Sequence, residues 1–125
     1  RYTSRSTTGA IIERYLRRLR ISVSRRIEVD NADMMCALVG HGVGWAITTP
    51  LHILQTLQRL DGVLVDTLRA PAPERSVTLI TREGEFEETA SMLATESRRL
   101  LTERYLPQLV AAVPAMAREI EITTD

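Results

Sequence analysis

Lysine is absent from this 125-residue chain: all 16 basic residues are arginine, and they balance 16 acidic residues to a formal net charge of zero. Without lysine there is no phosphate-binding loop of the usual kind, because that loop needs the amine to reach the phosphates. Without a basic surplus the composition speaks against a nucleic-acid-binding domain. One cysteine, Cys36, excludes an intramolecular disulfide and a multi-cysteine metal site, and its place in an apolar segment reads as a buried structural thiol. No apolar run approaches bilayer length and no cleavable signal pattern is visible, so a cytoplasmic location without membrane attachment is expected. A dinucleotide fingerprint needs glycines at its first turn, where only Gly9 stands, and TSRSTTG lacks the glycines of a nucleophile elbow. Scattered metal ligands give no convergent set. We therefore expect neither enzyme activity nor a cofactor.

What remains is ordinary for a globular protein, with 44% hydrophobic and 26% charged residues, enough for one modest core. The densest information lies in RIEVDNADMMCALVGHGVGWAITTP, residues 26 to 50. Ile27 and Val29 alternate with Glu28 and Asp30, the period of a strand. Asp30 is placed to cap a following helix, with Asp33 three residues on as in a capping box. Met34, Met35, Ala37, Leu38 and Val39 leave that helix almost no polar face, which predicts packing on both sides. Gly40 and Gly42 can take positive φ to end it. Val43 to Ile47 reads as a parallel strand covered on both faces, with Trp45 in the core or a cleft wall. Thr49 and Pro50 then start another helix.

That block resembles the ligand-binding domain of LysR-type transcriptional regulators, in which a strand, a helix reading roughly "alVaaG" and "GlGiaiiP" occur in this order. RYTSRSTTG is similar to the hydroxyl-rich loop that opens the second lobe of that domain, and RSVTLITREGEF to the strand returning to the first lobe. The resemblance covers roughly residues 1 to 100. It implies an α/β fold: a parallel-sheet lobe with flanking helices, half of a periplasmic-binding-protein-like (type 2) domain, with a long C-terminal helix. Residues 1–75 would be the second lobe, and 76–125 the return strand and a helical segment of the first. It also implies a small-molecule effector, a homo-oligomer, and DNA contact only through a winged helix-turn-helix elsewhere in the parent protein. The start at Arg1 without methionine agrees with a piece of a longer product.

Along the chain the pattern predicts a helix over 9–20 with Ile11, Ile12, Tyr15, Leu16 and Leu19 buried and Thr8 as cap, and a Glu13–Arg17 surface pair. A short helix is expected over 51–60, strands over 63–68 and 76–82, and a stiff proline-containing crossover between them. From Glu85 a helix carries Phe86, Ala90, Leu93, Ala94, Leu100 and Leu101 on its apolar side, and Pro107 and Pro114 are expected to break or kink the chain beyond it. The tail from Gln108 is longer than the family pattern requires and is expected to be exposed, swapped or used for association. The arginines at 14, 17, 18, 20, 25 and 26 form a solvated or subunit-contact face, since no aromatic residues interleave to stack bases.

In an open parallel sheet, ligands settle outside the carboxyl ends of the strands where helix starts converge. The candidate effector contacts are therefore Ser4, Arg5, Ser6, Thr7, Asn31, Thr48 and Thr49, with Arg5 able to grip a carboxylate in bidentate fashion. Ser6 and Thr7 are candidates by the resemblance too. Thr8, Thr49 and Asp30 also read as plain helix caps, Arg5 as a surface or hinge arginine, and His41 and His52 as surface residues. Two other function classes stay open: a transport solute-binding protein, and a small α/β enzyme using His41 or Cys36.

Overall fold

The computed structural model describes residues 1–24, 26–69 and 71–123; Arg25 of the expected arginine face and Ala70 of the crossover lie outside them. The chain divides into two compact units, Arg1–Arg75 and Ser76–Asp125.

In the first unit, the backbone nitrogen of Arg1 donates to the Ile27 carbonyl at 2.7 Å. The N–H of Val29 donates to Arg1 O at 2.9 Å and that of Thr3 to Val29 O at 3.3 Å. This slanted alternation is a parallel pairing of Tyr2 with Val29, and it is the sole sheet pairing among the described residues. The expected parallel sheet is thus reduced to one bridge. The segments over 43–48 and 63–69 are without regular structure and make no ladder, and the reason is coverage. Parallel strands are stable when both faces are buried, whereas Trp45 is 62% and Leu64 94% exposed. Trp45 is a wall residue and not part of the core.

Helix α1 spans Thr7–Arg18, two residues earlier than the periodicity predicts. Its cap is Ser6 and not Thr8: Ser6 Oγ accepts from the Gly9 N–H at 3.0 Å and donates to the Thr3 carbonyl at 2.9 Å. Ile12, Tyr15 and Leu16 are buried as expected, while Leu19 is exposed. Glu13 and Arg17 pair at 3.3 Å. The N–H groups of Arg20 and Ile21 close the helix onto the carbonyls of Arg17 and Leu16, a Schellman motif. Its left-handed position is held by Arg20 at φ 56°, where glycine is the usual residue.

Helix α2 spans Ala32–Gly40 and is capped by Asn31, whose Oδ1 accepts from Met34 N–H at 2.8 Å. Asp30 is not the cap, and Asp33 makes no capping box; it pairs instead with Arg59 at 3.2 Å, an exposed contact worth at most about 1 kcal/mol. Ala32, Met35 and Cys36 are buried but Met34 is exposed, so the helix packs on one side only. A second Schellman closure places Gly42 at φ 72°, whereas Gly40 stays helical with its α-carbon turned to the Asp61 carbonyl. Tyr2, Ile12, Leu16, Val29 and Met35 form the core.

Helix α3, Pro50–Gln55, starts at Thr49 and Pro50 as the sequence predicts. It ends earlier than expected because Thr56 Oγ1 lies 3.0 and 3.3 Å from the carbonyls of His52 and Ile53, a side-chain bond that competes with the helix ladder; a 3₁₀ turn over Leu57–Arg59 comes next.

In the second unit, 76–82 is unpaired, and Val77, Leu79 and Ile80 are exposed. Helix α4 spans Glu87–Leu100. Phe86 lies outside it, exposed and left-handed at φ 56°, and Leu93 is exposed as well. Glu87 and Glu88 occupy its first turn and Arg98 and Arg99 its last, the polarity its dipole favours. A π-helical stretch, Leu101–Tyr105, joins it to α5, Leu106–Ala112. Pro107 has no N–H to give the preceding turn, so the chain widens there and runs on without breaking. Leu109, Val113 and Met116 are the buried residues among those described in this unit.

Two substitutions in the first unit probe this backbone. A Cβ on Gly9 would lie 2.0 Å from the Thr3 carbonyl oxygen, so Gly9→Ala is expected to lower the free energy of urea unfolding by at least about 2 kcal/mol. Arg20→Gly removes a left-handed penalty of about 1–2 kcal/mol, partly offset by the freedom glycine adds to the unfolded chain. A gain of up to about 1 kcal/mol in the same measurement is expected.

Candidate functional site

The Tyr2–Val29 pairing aligns two chain segments that lead directly into helix starts, at Ser6 and Asn31. The Tyr2 hydroxyl lies 3.1 Å from Thr48 Oγ1, which brings in the third segment and its start at Thr49. Three capped helix N-termini are thereby tied to one residue, and their free N–H groups and caps make a polar edge suited to an anion or a polyhydroxy compound.

The candidate residues divide by what their side chains already do. Ser6, Asn31 and Thr49 are committed as caps, Thr49 accepting from His52 N–H at 3.4 Å. Thr48 is committed inward to Tyr2 and to His52 Nδ1, 3.4 Å away. Ser4, Arg5 and Thr7 are exposed, and their side chains make no ion pair and donate no hydrogen bond among the described residues. They are the ones free to meet a ligand.

Three further residues belong to this edge: His52, Arg75 and Thr8. The His52 ring stacks on Tyr2 with centroids 4.8 Å apart. Burial, and secondarily the charge of Arg75, hold its pKa below the ordinary value of 6.5. With the ring neutral, Tyr2 can donate to Thr48 and Thr48 to Nδ1, which satisfies both hydroxyls. Burial in turn raises the Tyr2 phenol, a shift its Thr48 bond opposes. Arg75 Nη1 donates to the buried Thr8 hydroxyl at 3.1 Å, so a guanidinium reaches the start of α1 from the far end of the unit. Below them, Thr56 Oγ1 lies 3.2 Å from Cys36 Sγ; since the hydroxyl donates to a carbonyl, the thiol is the donor of that pair. His52 is legible in the sequence only through its i, i+4 spacing from Thr48 and to Thr56. Nothing local marks Arg75.

Cys36 is buried and hydrogen-bonded. His41 is an exposed C-cap residue whose Nδ1 sits 2.8 Å from Ala37 O. No group of three His, Cys, Asp or Glu side chains among the described residues could hold a metal ion, and no helix among them is long and apolar enough to cross a membrane.

Residues 1–95 match the family model described as the LysR substrate binding domain. The chain belongs to that family. The match covers 95 of its 125 residues and carries a periplasmic-binding-protein-like fold and an effector-binding role in transcription regulation. No curated protein and no solved structure matches the chain.

The neutral His52 gives this LysR-type domain a pH signature. A histidine whose folded pKa is depressed binds fewer protons folded than unfolded, between its folded pKa and 6.5. Stability is therefore complete above that window and declines as pH falls through it. The urea midpoint is expected to drop from about pH 7.5 to about pH 5.5, with a shallower drop in His52→Gln; parallel profiles would show that His52 is not responsible.

Proposed function

We propose that residues 1–75 form the second lobe of the effector-binding domain of a cytoplasmic LysR-type regulator, and that residues 76–125 supply the return strand and helical segment of the first. The effector is a small metabolite bearing a carboxylate, and DNA is contacted by a winged helix-turn-helix elsewhere in a homo-oligomeric parent protein. The observation that carries this reading is the convergence of three capped helix starts on Tyr2, with Arg75 anchored on Thr8 beside them.

The chemistry supports one carboxylate in preference to two. Arg75 and Arg5 supply positive charge, and charge-assisted hydrogen bonds from a guanidinium are roughly twice as strong as neutral ones. Ser4 and Thr7 add neutral donors. Asp30, beside Asn31, opposes a second negative group. Because His52 is uncharged and already engaged with Thr48, it orients the edge and is not itself a clamp. Occupancy alone regulates nothing: the effector must bind one arrangement of the oligomer better than another, and that difference sets the size of the response.

The test is a panel of small monocarboxylates and dicarboxylates, read by the shift in unfolding temperature. Arg75→Gln and Arg5→Gln are each expected to weaken monocarboxylate binding about tenfold, the equivalent of one charge-assisted bond, and Thr7→Val less. Affinity unchanged in all three variants would remove these residues from the site.

A further inference from the structure

A groove lies at the other end of the first unit. The last turns of α1 and α2, the starts of the paired segments at Arg1 and Ile27, and the stretch 43–47 enclose a groove of about 790 Å³, within the range of about 300–1,000 Å³ typical of small-molecule sites. Its floor is apolar, formed by Ile12, Leu16, Val29 and Leu38, with Trp45 as a wall. Among the described residues, four arginines and one glutamate line it: Arg1, Arg17, Arg20 and Arg26 against Glu13. Arg1 is paired with both Glu13 and Glu28, and Arg17 with Glu13. Arg20 and Arg26 have no ion pair among the described residues.

Arg20 is also the residue in left-handed conformation where glycine would close α1 at lower cost. A local rule broken without a structural gain points to a functional demand on the side chain. We propose that this groove binds an amphipathic anion, an apolar chain or ring of medium length ending in one carboxylate, its apolar part along Leu16, Leu38 and Trp45 and its carboxylate on the rim arginines. A neutral apolar compound would leave the rim charge unanswered, and a cation would oppose it. The site is distinct from the polar edge at Tyr2, whose helix starts and capping hydroxyls lie at the other end of these same segments.

Trp45 is the only tryptophan and lines the groove, so tryptophan emission follows a change in its surroundings there. Titration with octanoate is expected to give a saturable blue shift, about tenfold weaker with octanol and in Arg26→Gln. Arg20→Gly should weaken octanoate binding similarly while keeping or raising the unfolding midpoint, which separates lost binding from lost folding. The proposal is overturned by absence of a saturable shift, by octanol binding as tightly as octanoate, or by affinity indifferent to both arginines. A blue shift that grows with protein concentration alone would mean that a second copy covers the groove, and would overturn it as well. These outcomes are independent of Arg5 and Arg75.

Discussion

The first unit depends on Tyr2. Its backbone is enclosed by the only parallel pairing among the described residues, its ring packs in the core and against His52, and its hydroxyl reaches Thr48. Each link joins segments far apart in sequence, and each is cheap for a side chain already buried. Burial of an aromatic ring is worth a few kcal/mol, and the hydroxyl bond adds roughly 1 kcal/mol net. Without Tyr2 the helix starts at Ser6, Asn31 and Thr49 would each remain capped, but the third would be held to the rest only from its far end, by the Cys36–Thr56 and Asp33–Arg59 contacts.

Local signals are legible in the sequence and non-local ones are not. Thr49 and Pro50 mark their helix start correctly because a cap hydroxyl and a proline at the first helical position act within one turn. The caps fall on Ser6 and Asn31 in place of Thr8 and Asp30 because several neighbours carry suitable oxygens; at Ser6 the hydroxyl also donates to the Thr3 carbonyl, whose residue is held by the Tyr2–Val29 pairing to a segment far away in sequence. The alternation around Ile27 and Val29 indicates extended chain, but pairing depends on what covers each face, which no period encodes. The apolar composition of α2 likewise overstates its burial.

The site shows the same division. The candidate hydroxyl and arginine residues of the edge come from topology and from resemblance to the LysR-type domain. Composition and spacing do not reveal which of them are already spent: Ser6, Asn31, Thr48 and Thr49 are committed to the backbone or to Tyr2 and His52, leaving Ser4, Arg5 and Thr7 outward. Arg75 is invisible to any local pattern because its contact with Thr8 spans nearly the whole unit.

The approach of Gly9 to the Thr3 carbonyl, with Ser6 bonded to both sides of the turn, bears on how selectivity could arise. A corner locked by backbone contact cannot reshape itself around whatever arrives. Discrimination among ligands at that corner would then be a matter of size and stereochemistry fixed in advance, and adaptation to a new metabolite would come by exchanging the outward side chains at positions 4, 5 and 7 while the turn beneath them stays unchanged.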